Sequence, residues 1–120
     1  MINLIVDEAY AFDYLSILHI KKNNTLADSI NFDNCSATII SQVGHALYKT
    51  IIASEQYNNL IKANQLVYDQ IEKVRMGNKL DAKEVDDANM LRFKYKIELQ
   101  KVFFNTELIE QKTPQNPLRS

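Results

Sequence analysis

An all-α fold is predicted by three features of the sequence: few helix breakers, apolar positions recurring every three or four residues, and a helix stop followed closely by a helix start. Two glycines and two prolines occur in 120 residues, at 44, 77, 114 and 117, which leaves long stretches without a conformational interruption. The architecture expected is a helical bundle built on a long antiparallel helical hairpin, residues 35–76 against 82–111, with an N-terminal helix packed along it. Residues 1–112 would form one domain and residues 113–120 an extended C-terminal arm, because "TPQNPLRS" is polar and carries both prolines.

The N-terminal helix is expected over residues 4–21, apolar on most of its circumference (Leu4, Ile5, Val6, Tyr10, Phe12, Tyr14, Leu15, Ile17, Leu18) with Asp7, Glu8, Asp13, Ser16 and His19 on its polar side. The alternative for residues 2–6 is a short strand ending at an Asp7 cap. Next, "NNTLADSINFDN" carries a Thr25-x-x-Asp28 cap-like start, and residues 22–34 read as a loop enclosing one or two helical turns.

From Cys35 to Met76 the stripe runs through Ile40, Val43, Leu47, Ile51, Leu60 or Ile61, Val67 or Tyr68, Ile71 and Val74. This is one helix about 60 Å long or two collinear helices. The expected break is "ASEQYNN", residues 53–59, where the stripe turns polar and Ser54 or Asn58 can cap a new start.

Lys73 and Arg75 then stand at a helix C-terminus with Gly77 as the left-handed residue after it. Asp81 is placed as the next N-cap, with Glu84 three residues on, and Asp86 and Asp87 near the positive end of the dipole. The last helix should run from about Ala82 to Gln111 and stop before Thr113, which precedes a proline. It carries two apolar stripes: Ala88, Leu91, Tyr95, Leu99, Val102 and Ile109 on one side, and Phe93, Ile97, Phe104 and Leu108 on another. One neighbour cannot cover both, so Phe93, Ile97, Phe104 and Leu108 are the expected interface residues, with loop 22–34 and arm 113–120 as secondary contacts.

Composition bounds the function. Hydrophobic residues make up 46% and charged residues 24% of the chain, which fits a folded globular domain rather than a disordered one. A net charge of −1 gives no global attraction to nucleic acid or anionic lipid. The apolar start "MINLIV" meets Asp7 and Glu8 at once and has no basic flank, so neither a signal peptide nor a membrane span is expected. The single Cys35 has no disulfide partner, which suits a cytoplasmic setting. Abundant Asn, Ile and Lys match the coding bias of an AT-rich microbe or phage.

The strongest enzymatic reading joins Asp69-x-x-Glu72 to Glu84-x-x-Asp87. Carboxylates three apart share a helix face, and two such pairs converging across a hairpin would offer hard oxygen ligands to magnesium. This pattern resembles the all-α nucleotide pyrophosphohydrolases of the MazG and dimeric dUTPase type, a resemblance confined to residues 69–87. It implies a magnesium-dependent hydrolase with Asp69, Glu72, Glu84 and Asp87 as ligands. The sequence departs from that family in having Asp69 where a glutamate is expected and in lacking the doubled glutamate before it. The competing account of the same residues is helix capping and a solvated face, which acids at a helix N-terminus suffice for.

Other chemistries have less support. No Glu-x-x-His pair projects from any helix, and neither His19 nor His45 has a local metal-binding companion. Cys35 sits where the long helix would begin, where a dipole would stabilise a thiolate, yet a lone cysteine commonly packs as a small hydrophobe. Glycines 33 residues apart exclude phosphate-cradling loops. Arg92, Lys94, Lys96 and Lys101 alternate with Phe93 and Tyr95, but the two rings point to different sides of a helix and form no stacking platform. The six tyrosines are spread along the helices as core-edge residues or interface anchors. The function expected is therefore a non-enzymatic interaction protein, an adaptor, assembly or regulatory subunit without a cofactor, acting as a homo-oligomer or on a larger protein. A nucleic-acid accessory role is the third alternative.

Overall fold

A computed structural model describes residue 2 and residues 5–108. Among them the chain is all-helical: α1 (Glu8–Lys21), α2 (Leu26–Val43), α3 (His45–Ile52), α4 (Glu55–Arg75) and α5 (Ala82–Phe104). No helix among the described residues is long and apolar enough to cross a membrane.

Three capping signals set helix starts. The Thr25 hydroxyl accepts the Asp28 N–H at 3.0 Å and opens α2. Ser54 accepts the Tyr57 N–H at 3.1 Å and opens α4. Asp81 accepts the Lys83 N–H at 3.3 Å and opens α5. The helix stop before it is equally local: Gly77 has φ +88°, the Gly77 N–H donates to Val74 and the Asn78 N–H to Lys73, both at 3.0 Å. This double bond pattern is a Schellman motif, which needs a residue free to enter the left-handed region.

Several expected boundaries are corrected. Residues 35–76 are not one rod or two collinear helices but three segments. Besides the break at Ser54, Gly44 adopts φ 90°, ψ 152°, closing α2 through its N–H to Ile40 and opening α3 through its carbonyl to Tyr48. Loop 22–34 shrinks to residues 22–25, since the helix begun at Thr25 continues for 18 residues. The first helix begins at Glu8 rather than Leu4, with residues 5–7 outside it and Asp7 extended at the N-cap. No strand occurs among the described residues. The last helix ends at Phe104, not Gln111, because Asn105 turns left-handed at φ 53° with its N–H on the Lys101 carbonyl. Ile109 and the arm at 113–120 lie outside the described residues.

α1 is the central element and packs against α2, α4 and α5. Its Ala9, Phe12 and Leu15 join Ile39, Tyr48, Ile51, Tyr57, Leu60, Leu99 and Leu108 in one core. Phe12 is fully enclosed, with its ring 6.3 Å from those of Tyr48 and Tyr57 and 6.5 Å from that of Phe104. α4 and α5 form the most extensively packed pair. They run antiparallel: Gln70 reaches the Glu84 carbonyl, and six residues earlier on α4 Asn64 meets, through Asp13, Arg92 further along α5.

Candidate functional site

The Gly77 turn and the Asp81 cap fold α4 and α5 together and leave their outer sides uncovered. On α5, residues separated by three and four positions form an open groove of about 710 Å³ lined by Met90, Phe93 and Ile97 between Asp86, Asn89, Lys94 and Glu98. Met90 is 70% exposed, and Phe93 and Ile97 are half-buried. A second hollow of about 300 Å³ lies between the helices at the closed end of the hairpin, lined by Val67, Ile71, Val74, Leu80 and Val85. Asn89 borders both, so the two hollows are neighbours on one face of the hairpin and meet at this polar side chain. Ile71 and Val74 are each more than half exposed.

Of the four expected interface residues, Phe93 and Ile97 lie on this face. Phe104 and Leu108 do not. Leu108 is 1% exposed inside the core, and Phe104 packs on it against Phe12. The stripe is continuous in sequence, but α1 crosses its C-terminal half. Met90, Ile71, Val74, Leu80 and Val85 belong to the face and were not expected there. The visible signal for Met90 is its spacing three before Phe93 and seven before Ile97.

Of the four candidate magnesium ligands, Glu84 is exposed in the first turn of α5 and the other three hold local partners. Asp69 accepts from Gln65 at 2.9 Å, Glu72 pairs with Arg75 at 3.4 Å and Asp87 with Lys83 at 3.1 Å, all at solvent-exposed positions. Among the described residues no three His, Cys, Asp or Glu side chains are grouped to hold a metal ion. Two of the five basic residues of α5 turn inward. Arg92 grips a buried carboxylate, and the Lys96 ammonium lies 5.9 Å from the Tyr10 ring and 5.7 Å from the Phe93 ring.

Behind the hairpin lies polar structure that the periodicity conceals. Asp13, 3% exposed, receives a two-pronged bond from Arg92, with Nε on Oδ1 at 3.0 Å and Nη2 on Oδ2 at 2.6 Å. Asn64 donates to Asp13 Oδ1 at 2.9 Å and to the Ser16 hydroxyl at 2.7 Å, and that hydroxyl donates to the Asp13 carbonyl. These bonds join α1, α4 and α5. Gln100 makes a second polar link near the start of α1.

Cys35 lies mid-way along α2 rather than at a helix start, and burial pushes its thiol above the ordinary range. His19 packs edge-on to Phe32 at 5.4 Å, where burial and then the Lys22 charge lower its pKa. The Tyr48 hydroxyl shares a short hydrogen bond with Ser36. Tyr57, in contrast, is 1% exposed with a hydroxyl that meets no partner among the described residues. Burial, then the neighbouring Tyr48 and Cys35, push that phenol far above its ordinary value.

Tyr57→Phe should therefore be neutral or stabilising by about 1 kcal/mol, since it removes an unsatisfied buried polar group and little packing. Because the folded chain holds the phenol protonated, its stability contribution is complete below about pH 10 and falls as pH rises toward the raised folded value. Alkaline denaturation should thus separate the two proteins above that pH, with Tyr57→Phe the more resistant. A variant less stable than wild type by more than 1 kcal/mol at neutral pH would overturn this account of the hydroxyl.

The chain matches no family model, and neither a curated protein nor a solved structure matches it.

Proposed function

We propose that this chain is a non-enzymatic helical interaction module of the cytoplasm, an adaptor, assembly or regulatory subunit, that docks through the outer face of its α4–α5 hairpin. The α1 helix serves as the brace behind that hairpin. The carrying observation is the pair of neighbouring apolar hollows on this face, in which Ile71, Val74 and Met90 are more than half exposed and Leu80, Val85, Phe93 and Ile97 are half-buried. Scattered exposed hydrophobes are ordinary on a soluble protein, whereas a contiguous apolar surface rimmed by charge marks a place where another molecule sits.

The test is site-specific photocrosslinking from position 90 in the native host, with light scattering of the purified protein across a concentration series. The expected result is one discrete adduct, with the chain itself or with another protein, that Phe93→Asp abolishes while circular dichroism stays unchanged. Association at this face should weaken at least a hundredfold, as expected when a charge replaces a buried aromatic anchor. A folded protein that gives no adduct from position 90 and no Phe93-dependent association would overturn the reading.

A further inference from the structure

We infer that the occupant of this face is a second copy of the chain, docked through α5 in antiparallel sense about a two-fold axis; the inference rests on the docking function proposed above. Asp86, Met90, Phe93, Ile97 and Lys101 follow one another at steps of four, three, four and four residues, which places them within a narrow strip of the helix surface. The strip is apolar at its centre, acidic at one end and basic at the other. Asp86 and Lys101 are both exposed, and neither has an ion-pair partner among the described residues. Elsewhere on the hairpin Lys83 pairs with Asp87 and Arg75 with Glu72 along their own helices.

Such a strip complements itself in only one sense. With the axis between Phe93 and Lys94, Met90 of one copy lies opposite Ile97 of the other. Asp86 lies opposite Lys101, and the pairing occurs twice by symmetry. A parallel arrangement sets Asp86 against Asp86 and Lys101 against Lys101, so like charges exclude it.

The test is charge reversal on the purified chain, with the dimer dissociation constant read by sedimentation at low salt. Asp86→Lys and Lys101→Asp should each weaken the dimer about tenfold, since each replaces two attractive pairs by two repulsive ones. The double variant should return to within about threefold of wild type, and high salt should shrink all the differences. Equimolar mixing of the two single variants should also restore association, which a change in helix stability alone cannot do. A double variant no tighter than the singles, or a chain monomeric at every concentration, would overturn the self-pairing. A Phe93-dependent adduct with a different protein overturns the self-pairing and leaves the docking function standing, whereas loss of every adduct removes both.

Discussion

Arg92→Ala is expected to destabilise the protein by about 3–5 kcal/mol, because it leaves a charged carboxylate in the interior with its principal partner gone. Asp13 is 3% exposed, and both of its oxygens are held by the Arg92 fork at 3.0 and 2.6 Å. After the substitution its remaining side-chain donor among the described residues is Asn64 at 2.9 Å, a neutral amide that cannot balance the charge. For a domain of ordinary stability, about 5–15 kcal/mol, such a loss is a large fraction of the whole. Arg92→Lys should recover little, since an ammonium cannot reproduce the planar two-pronged geometry. Asp13→Asn added to Arg92→Ala should recover part of the loss by removing the buried charge. Denaturant midpoints measure all three. The exposed Lys83–Asp87 pair supplies the scale: Lys83→Ala should shift stability by no more than about 0.5 kcal/mol. Equal shifts for Arg92→Ala and Lys83→Ala would show that the buried pair does not hold α1 to α5.

What the sequence reveals about this fold is mainly its local backbone chemistry. Thr25, Ser54, Gly77 and Asp81 can be read because a cap or a left-handed turn is decided by residues within one helical turn. The length of α2 cannot be read in the same way. It lies at the periphery with Ile39 its one buried side chain among the described residues, and Leu26 and Ile30 in its first half stay exposed, so the apolar residues there mark no single packed face. Gly44 is also silent, since a glycine between helical stretches can continue a helix, and only the backbone shows the positive φ. The polar interior is the least legible part. Asp13, Asn64, Arg92 and Gln100 read as solvated positions, and the bonds they make from one helix to another span 48 to 92 residues of sequence, beyond the reach of any local pattern. The same limit applies to the candidate site. Phe93, Ile97 and Phe104 share one spacing and are all half-buried, and only the path of α1 decides that Phe104 packs against Phe12 while Phe93 and Ile97 line the groove.

That path depends on Gln100, and Gln100→Leu should destabilise the fold by about 2–4 kcal/mol despite preserving side-chain size and helix propensity. Asp7 occupies the N-cap of α1 but makes no side-chain cap bond. The first turn is instead satisfied from α5: Gln100, 1% exposed, accepts the Ala9 N–H at 2.8 Å. Its amide donates to Glu8 at 2.9 Å and to Thr106 at 2.8 Å, the latter just beyond the left-handed Asn105 that ends α5. One side chain thus joins the start of α1 to the end of α5. Leucine leaves the Ala9 N–H without an acceptor in a fully buried position, and an orphaned buried donor costs more than the lost bond itself. Hydrogen exchange separates this from a general loss of packing. The Ala9 amide should exchange faster in Gln100→Leu by more than the change in global stability accounts for, with amides in the middle of α4 following the global value. Gln100→Glu isolates the donor half of the arrangement: an ionised carboxylate still accepts from Ala9 but repels Glu8 and cannot donate to Thr106. If the Ala9 amide stays protected there while stability falls, the acceptor caps α1 and the donors close the end of α5.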